Sequence, residues 1–140
     1  MDVSGHSTVA NLSLSTSGEK KVAWARSRMP ALATLRESAE RDLPLKGQRV
    51  AGCLHVTKET AVLIETISAA GADISWSGCN PLSTQDDVAA WLASEGYGVH
   101  AWHGQSTEDF YRCIDRTLDF KPTLTLDDGA DLIYRIHSSS

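Results

Sequence analysis

The side chains best suited to moving protons or holding a polar ligand fall in four short segments, residues 53–59, 77–86, 103–104 and 127–129. The first carries His55, Thr57 and Glu59, the second Cys79, Asn80 and Ser83, and the last Asp127 and Asp128 ahead of Gly129. An imidazole with an ordinary pKa near ~6.5 offers both of its forms at neutral pH, which makes His55 the leading acid/base candidate. The same residue could equally be a loop histidine bonded to a neighbour. Asp127 and Asp128 read either as carboxylates at the positive end of a helix or as ligand groups. Alternation along an extended chain sends the two to opposite sides, so only one is expected to face a cleft. Cys79 could be a thiol nucleophile beside His55, but no nucleophile-elbow pattern surrounds it, and a small polar contact is the simpler role. His100, His103 and Cys113 make a poor metal set, being a strand, a loop and a helix residue with no fourth ligand.

What must position these segments is a repeated alternation that begins after Pro44 and Gly47: a short apolar run, a polar loop, then a longer amphipathic stretch. Four such units in succession predict a parallel sheet with crossover helices. Strands are expected at 49–54, 72–76, 98–102 and 123–126, and helices at 58–70, 84–94 and 107–118, with a last one starting near Ala130. Thr57, Ser83 with Asp86, and Ser106 with Asp109 are the expected helix starts, since a hydroxyl there can accept from free backbone amides. Upstream, two helices are expected around Met29-Pro30, at 17–28 and 31–39. The polar, Ser- and Thr-rich residues 1–10 have too little apolar content to pack and are read as a mobile tail. The fold class is therefore α/β, a doubly wound, Rossmann-like parallel sheet preceded by N-terminal helices, here as an incomplete domain. In such sheets ligands lie beyond the carboxyl ends of the strands, which is where the four polar segments fall.

Composition narrows the partners. A net charge of −5 with scattered Lys and Arg argues against nucleic acid or an anionic membrane as the main partner. Apolar runs are too short to span a bilayer or act as a signal peptide, so a cytoplasmic location is expected. Cys53, Cys79 and Cys113 are odd in number and lack CxxC spacing, which suits reduced thiols. Neither GxGxxG nor GxxxxGK[ST] occurs, so no dinucleotide or triphosphate loop is encoded. Trp24, Trp76, Trp91 and Trp102 are expected in the core or at an interface.

Taken together, Met29-Pro-Ala-Leu, Leu45-Lys-Gly, Ala51-Gly-Cys-Leu-His-Val-Thr-Lys-Glu-Thr-Ala-Val-Leu-Ile-Glu-Thr66, Cys79-Asn-Pro-Leu-Ser-Thr-Gln-Asp86 and Leu126-Asp-Asp-Gly-Ala-Asp-Leu132 resemble adenosylhomocysteinases in order and spacing, from about residue 11 to 137. The resemblance implies NAD-dependent, reversible hydrolysis of S-adenosyl-L-homocysteine to adenosine and L-homocysteine, in a cytoplasmic homotetramer. Residues 11–140 would be the first part of the substrate-binding domain, with the NAD-binding domain absent and the chain alone inactive. By the same resemblance His55 sits near the 5′ leaving group, with Asp128 as its partner in proton transfer. Thr57 and Glu59 contact adenine, and Cys79, Asn80 and Ser83 line the homocysteine side. Asp-Asp-Gly-Ala replaces the commoner Asp-Asp-Gly-Gly, a conservative change unless Ala130 must adopt positive φ. The alternatives are a naturally short protein that binds adenosine or its thioether without chemistry, and a thiol enzyme built on Cys79 and His55.

Overall fold

Val50, Ala51, Gly52 and Cys53 are small or β-branched and buried, the composition of a strand covered on both faces. In a computed structural model that describes residues 2–4 and 7–138, they form the middle of β3 (Arg49–Cys53). Around it lie β1 (Asp2–Ser4), β2 (Ser7–Val9), β4 (Asp73–Ser77), β5 (Gly98–Ala101) and β6 (Leu124–Asp127). The helices are α1 (Ser15–Ser27), α2 (Pro30–Asp42), α3 (Lys58–Ala69), α4 (Asp86–Ser94), α5 (Thr107–Asp119) and α6 (Asp131–Ser138).

The sheet order is β1-β2-β5-β4-β3-β6; β2 to β6 run parallel and β1 pairs antiparallel with β2. From β3 the chain steps through β4 to β5 on one side, then crosses back to lay β6 on the other side of β3. The helices α1 to α4 pack together on one face, and α5 and α6 take the other. Strand alternation feeds both cores: Ile74 and Trp76 join Val22, Ile64 and Leu92, whereas Ala51 and Cys53 join Phe110, Ile114 and Leu132. Gly52 pairs with Trp76 across the sheet, and a Cβ on it would stand 2.3 Å from the indole ring, so the ring occupies the space a side chain would need.

Two expectations are corrected. The first residues were expected as a mobile tail, yet Ser7–Val9 form a buried strand beside β5. Their polar side chains are paid for by hydrogen bonds: the Ser7 hydroxyl donates to the Tyr97 carbonyl at 2.6 Å and accepts from the Val99 amide at 2.9 Å. Residues 1, 5 and 6 lie outside the described residues. The second correction is the start of α4, which begins at Asp86 rather than 84, with Gln85 at the cap position. Ser83 does not cap it; its hydroxyl donates to the Asn80 carbonyl at 3.1 Å, and Asp86 accepts from the His103 amide at 2.8 Å. Thr57 and Ser106 do cap their helices, accepting from the Thr60 and Asp109 amides. Trp76 and Trp91 are buried; Trp24 is 53% exposed, with Arg28 and Lys58 beside its ring. Among the described residues no helix is long and apolar enough to cross a membrane.

Candidate functional site

Because β4 and β6 flank β3, the loops leaving β3 and β6 diverge to opposite faces and leave a crevice at their carboxyl ends, the switch point of a doubly wound sheet. His55 follows β3 by two residues and Asp128 follows β6 by one. The Asp128 amide donates to the Cys53 carbonyl at 3.3 Å, which ties the two loop origins together. The loop after β4 joins from the other side through the Gln85 amide, which donates to the Val56 carbonyl at 2.9 Å, and it is held further by the Gly104 amide on the Pro81 carbonyl at 2.8 Å.

These ties bring an imidazole nitrogen of His55, the Cys79 sulfur and a carboxylate oxygen of Asp128 all within 4.8 Å of one another. His55 and Asp128 are exposed and Cys79 half-buried, so the group opens outward. Burial pushes the Cys79 thiol up and the Asp128 carboxylate pushes it further, against a smaller lowering by local backbone bonds. A thiol held protonated is a poor nucleophile, which weighs against Cys79 as an attacking group. The same trio has the donor types of a three-ligand zinc site.

The two aspartates split the roles read from the sequence. Asp127 turns inward, its Oδ2 accepting from the Leu132 amide at 2.8 Å and the Ile133 amide at 3.3 Å, and so serves the start of α6. Asp128 faces the rim. The turn between them and the helix holds Ala130 at φ 61, the positive-φ case in which alanine is strained where glycine is not.

The remaining candidates sit on the same rim with local partners. Thr57 uses its hydroxyl as the α3 cap. Glu59 lies in the first turn of α3, its Oε1 3.1 Å from Lys58 Nζ, which in turn stacks over Trp24. Partial burial would raise its pKa, but backbone bonding and Lys58 outweigh that and hold it below the usual glutamate value. Asn80 accepts from the Leu82 amide at 2.8 Å through its side chain, so Asn80 and Ser83 shape the loop that carries Cys79. Sequence reasoning missed Gln85 as the loop's anchor, because a backbone bond leaves no signal in residue type. It read the aspartate pair as helix-start carboxylates but left open which of the two serves α6; the structure gives that role to Asp127.

A hollow of about 880 Å³ lies elsewhere, at the amino ends of β4 and β5, lined by Ser7, Asp73, Tyr97, His100 and Arg116 among others. Strand carboxyl ends and helix N-termini, which supply oriented amides, meet at the opposite rim, so the His55 side is the better candidate.

Residues 6–140 match the sequence model of a family described as S-adenosyl-L-homocysteine hydrolase. The chain is similar to the S-inosyl-L-homocysteine hydrolase of Methanosarcina mazei, 53% identical over 122 residues that cover 86% of this chain and 30% of that one. It is 50% identical over 131 residues to the adenosylhomocysteinase of Pyrobaculum aerophilum, 94% of this chain and 30% of that one. Over 132 residues it is 48% identical to the adenosylhomocysteinase of Sulfolobus acidocaldarius, 94% and 32%. The chain thus spans about a third of the length of these relatives.

Proposed function

Because this chain belongs to the S-adenosyl-L-homocysteine hydrolase family, we propose that it supplies part of the substrate site of an enzyme that reversibly splits S-adenosyl-L-homocysteine into adenosine and L-homocysteine. The observation that carries this reading is the convergence of His55, Cys79 and Asp128 within 4.8 Å at the switch-point crevice. Cleaving a thioether at a ribose 5′ carbon requires a proton for the departing sulfur, and the reverse direction requires its removal. An imidazole beside a carboxylate at one rim can do both, with Asp128 orienting His55 and balancing its charge when protonated. Thr57 at the cap of α3 and Glu59 in its first turn are assigned to the nucleobase. Cys79, Asn80 and Ser83 are assigned to the homocysteine end, where short polar groups suit a zwitterion.

NAD, the cofactor that the resemblance implies, does not fit these residues. The turn after β3 has no glycine, and Thr57 fills the start of α3 with its own hydroxyl. We assign NAD to the region that the relatives carry beyond the matched third. A cytoplasmic homotetramer belongs to the same reading.

The test is to join this chain to that region, supply NAD, and follow homocysteine release. His55→Ala should lower kcat by about 10²–10⁴-fold, the usual loss of an acid/base group. An unchanged rate would remove His55 from the mechanism.

A further inference from the structure

Asp127 stands one residue before the rim carboxylate and takes no part in the rim itself. Its side chain lies with Cys53 and Asp131, whose ligand atoms and its own fall within 4.8 Å of one another. One oxygen clamps the Leu132 and Ile133 amides in the first turn of α6, at 2.8 and 3.3 Å; the other is buried with no hydrogen-bond partner among the described residues. The turn carrying Asp128 is therefore held at both ends. Its start is fixed by the Asp128 amide on the Cys53 carbonyl, and its end by α6 docked on Asp127. Between these ties Ala130 sits at φ 61, a conformation that an alanine keeps only when its surroundings impose it.

We propose that Asp127 is a positioning residue: by clamping the start of α6 it sets the turn that aims the Asp128 carboxylate at His55 and Cys79. This rests on the reading of Asp128 as a rim group paired with His55. It goes beyond that reading by assigning a role to the first aspartate of the pair.

The half-buried Cys79 thiol is a built-in reporter, because burial and the Asp128 charge both keep it protonated, whereas Cys53 and Cys113 are buried. The experiment measures the pH profile of Cys79 alkylation by iodoacetamide, with peptide mapping of all three thiols. Asp128→Asn should raise the rate at neutral pH about threefold, the scale of removing one partly screened charge from beside a thiol. Asp127→Ala and the isosteric Asp127→Leu should shift the profile the same way, with Cys53 and Cys113 still unlabelled. Neither should add to Asp128→Asn, and Asp127→Asn, which keeps an oxygen for the two amides, should restore the original profile. The proposal is overturned if Asp127→Leu leaves Cys79 unchanged where Asp128→Asn shifts it, or if Asp127→Leu shifts it equally in the Asp128→Asn background. No effect of Asp128→Asn itself would instead sink the underlying pairing.

Discussion

Glu59, once ionised, can only accept hydrogen bonds, and Lys58 at 3.1 Å favours that ionised form. Facing the six position of a purine, such a group suits an exocyclic amine and sets lone pair against lone pair with a 6-oxo group. The extended enzyme should therefore prefer S-adenosyl- over S-inosyl-L-homocysteine by about tenfold or more in kcat/KM, a preference that Glu59→Gln should narrow. Equal kcat/KM values for the two would take Glu59 away from the base. Ala130 makes a separate prediction. At φ 61 a Cβ costs about 1 kcal/mol, so Ala130→Gly should stabilise the protein by roughly that amount in urea unfolding, and a destabilised variant would contradict the assigned turn. The pair Asp127-Asp128 shows what was legible at this scale. Alternation announced that one would face inward, but which one depends on where β6 ends, and boundaries are set by tertiary bonds rather than by residue type.

Among the elements, the α1–α4 contact is the tightest. A Cβ on Gly18 would lie 1.9 Å from the Asp87 carbonyl oxygen, so the two backbones approach as only glycine allows. Gly18→Ala should cost about 1–3 kcal/mol, the usual penalty of overpacking, read as a lower urea midpoint with unchanged slope. Asp87 reinforces the contact, accepting from Ser17 at 2.9 Å and pairing with Lys21 at 2.7 Å. Burial would raise its pKa, but these partners outweigh it and hold Asp87 below the ordinary aspartate value. A depressed folded value stabilises the protein above the unfolded pKa near ~3.9 and stops doing so as pH falls through the folded one. Melting temperature should thus fall on acidification below about pH 4 more steeply in the native protein than in Asp87→Asn; parallel curves would refute the linkage. The helices and four of the strands were readable from periodicity. The strand Ser7–Val9 was not, because its burial depends on Tyr97 and Val99, more than 80 residues away, accepting and donating to a serine. The cap of α4 was misread for a similar reason: Ser83 bonds back into its own loop.

For the molecule as a whole, the doubly wound order decides where a ligand can sit. The pattern of strands and helices foretold a parallel sheet, and the rule of carboxyl ends gathered His55, Cys79 and Asp128 before any coordinates. What no pattern could give is the strand order, with β6 returning beside β3 to create the crevice. The same order leaves the 880 Å³ hollow at the opposite end, so the two ends offer rival locations for a nucleoside. Titrating adenosine into isotope-labelled protein and mapping amide shifts separates them most directly. Shifts gathered at His55, Thr57, Glu59, Cys79 and Asp128 are the expected result; shifts gathered instead at Ser7, Tyr97, His100 and Arg116 would contradict the account.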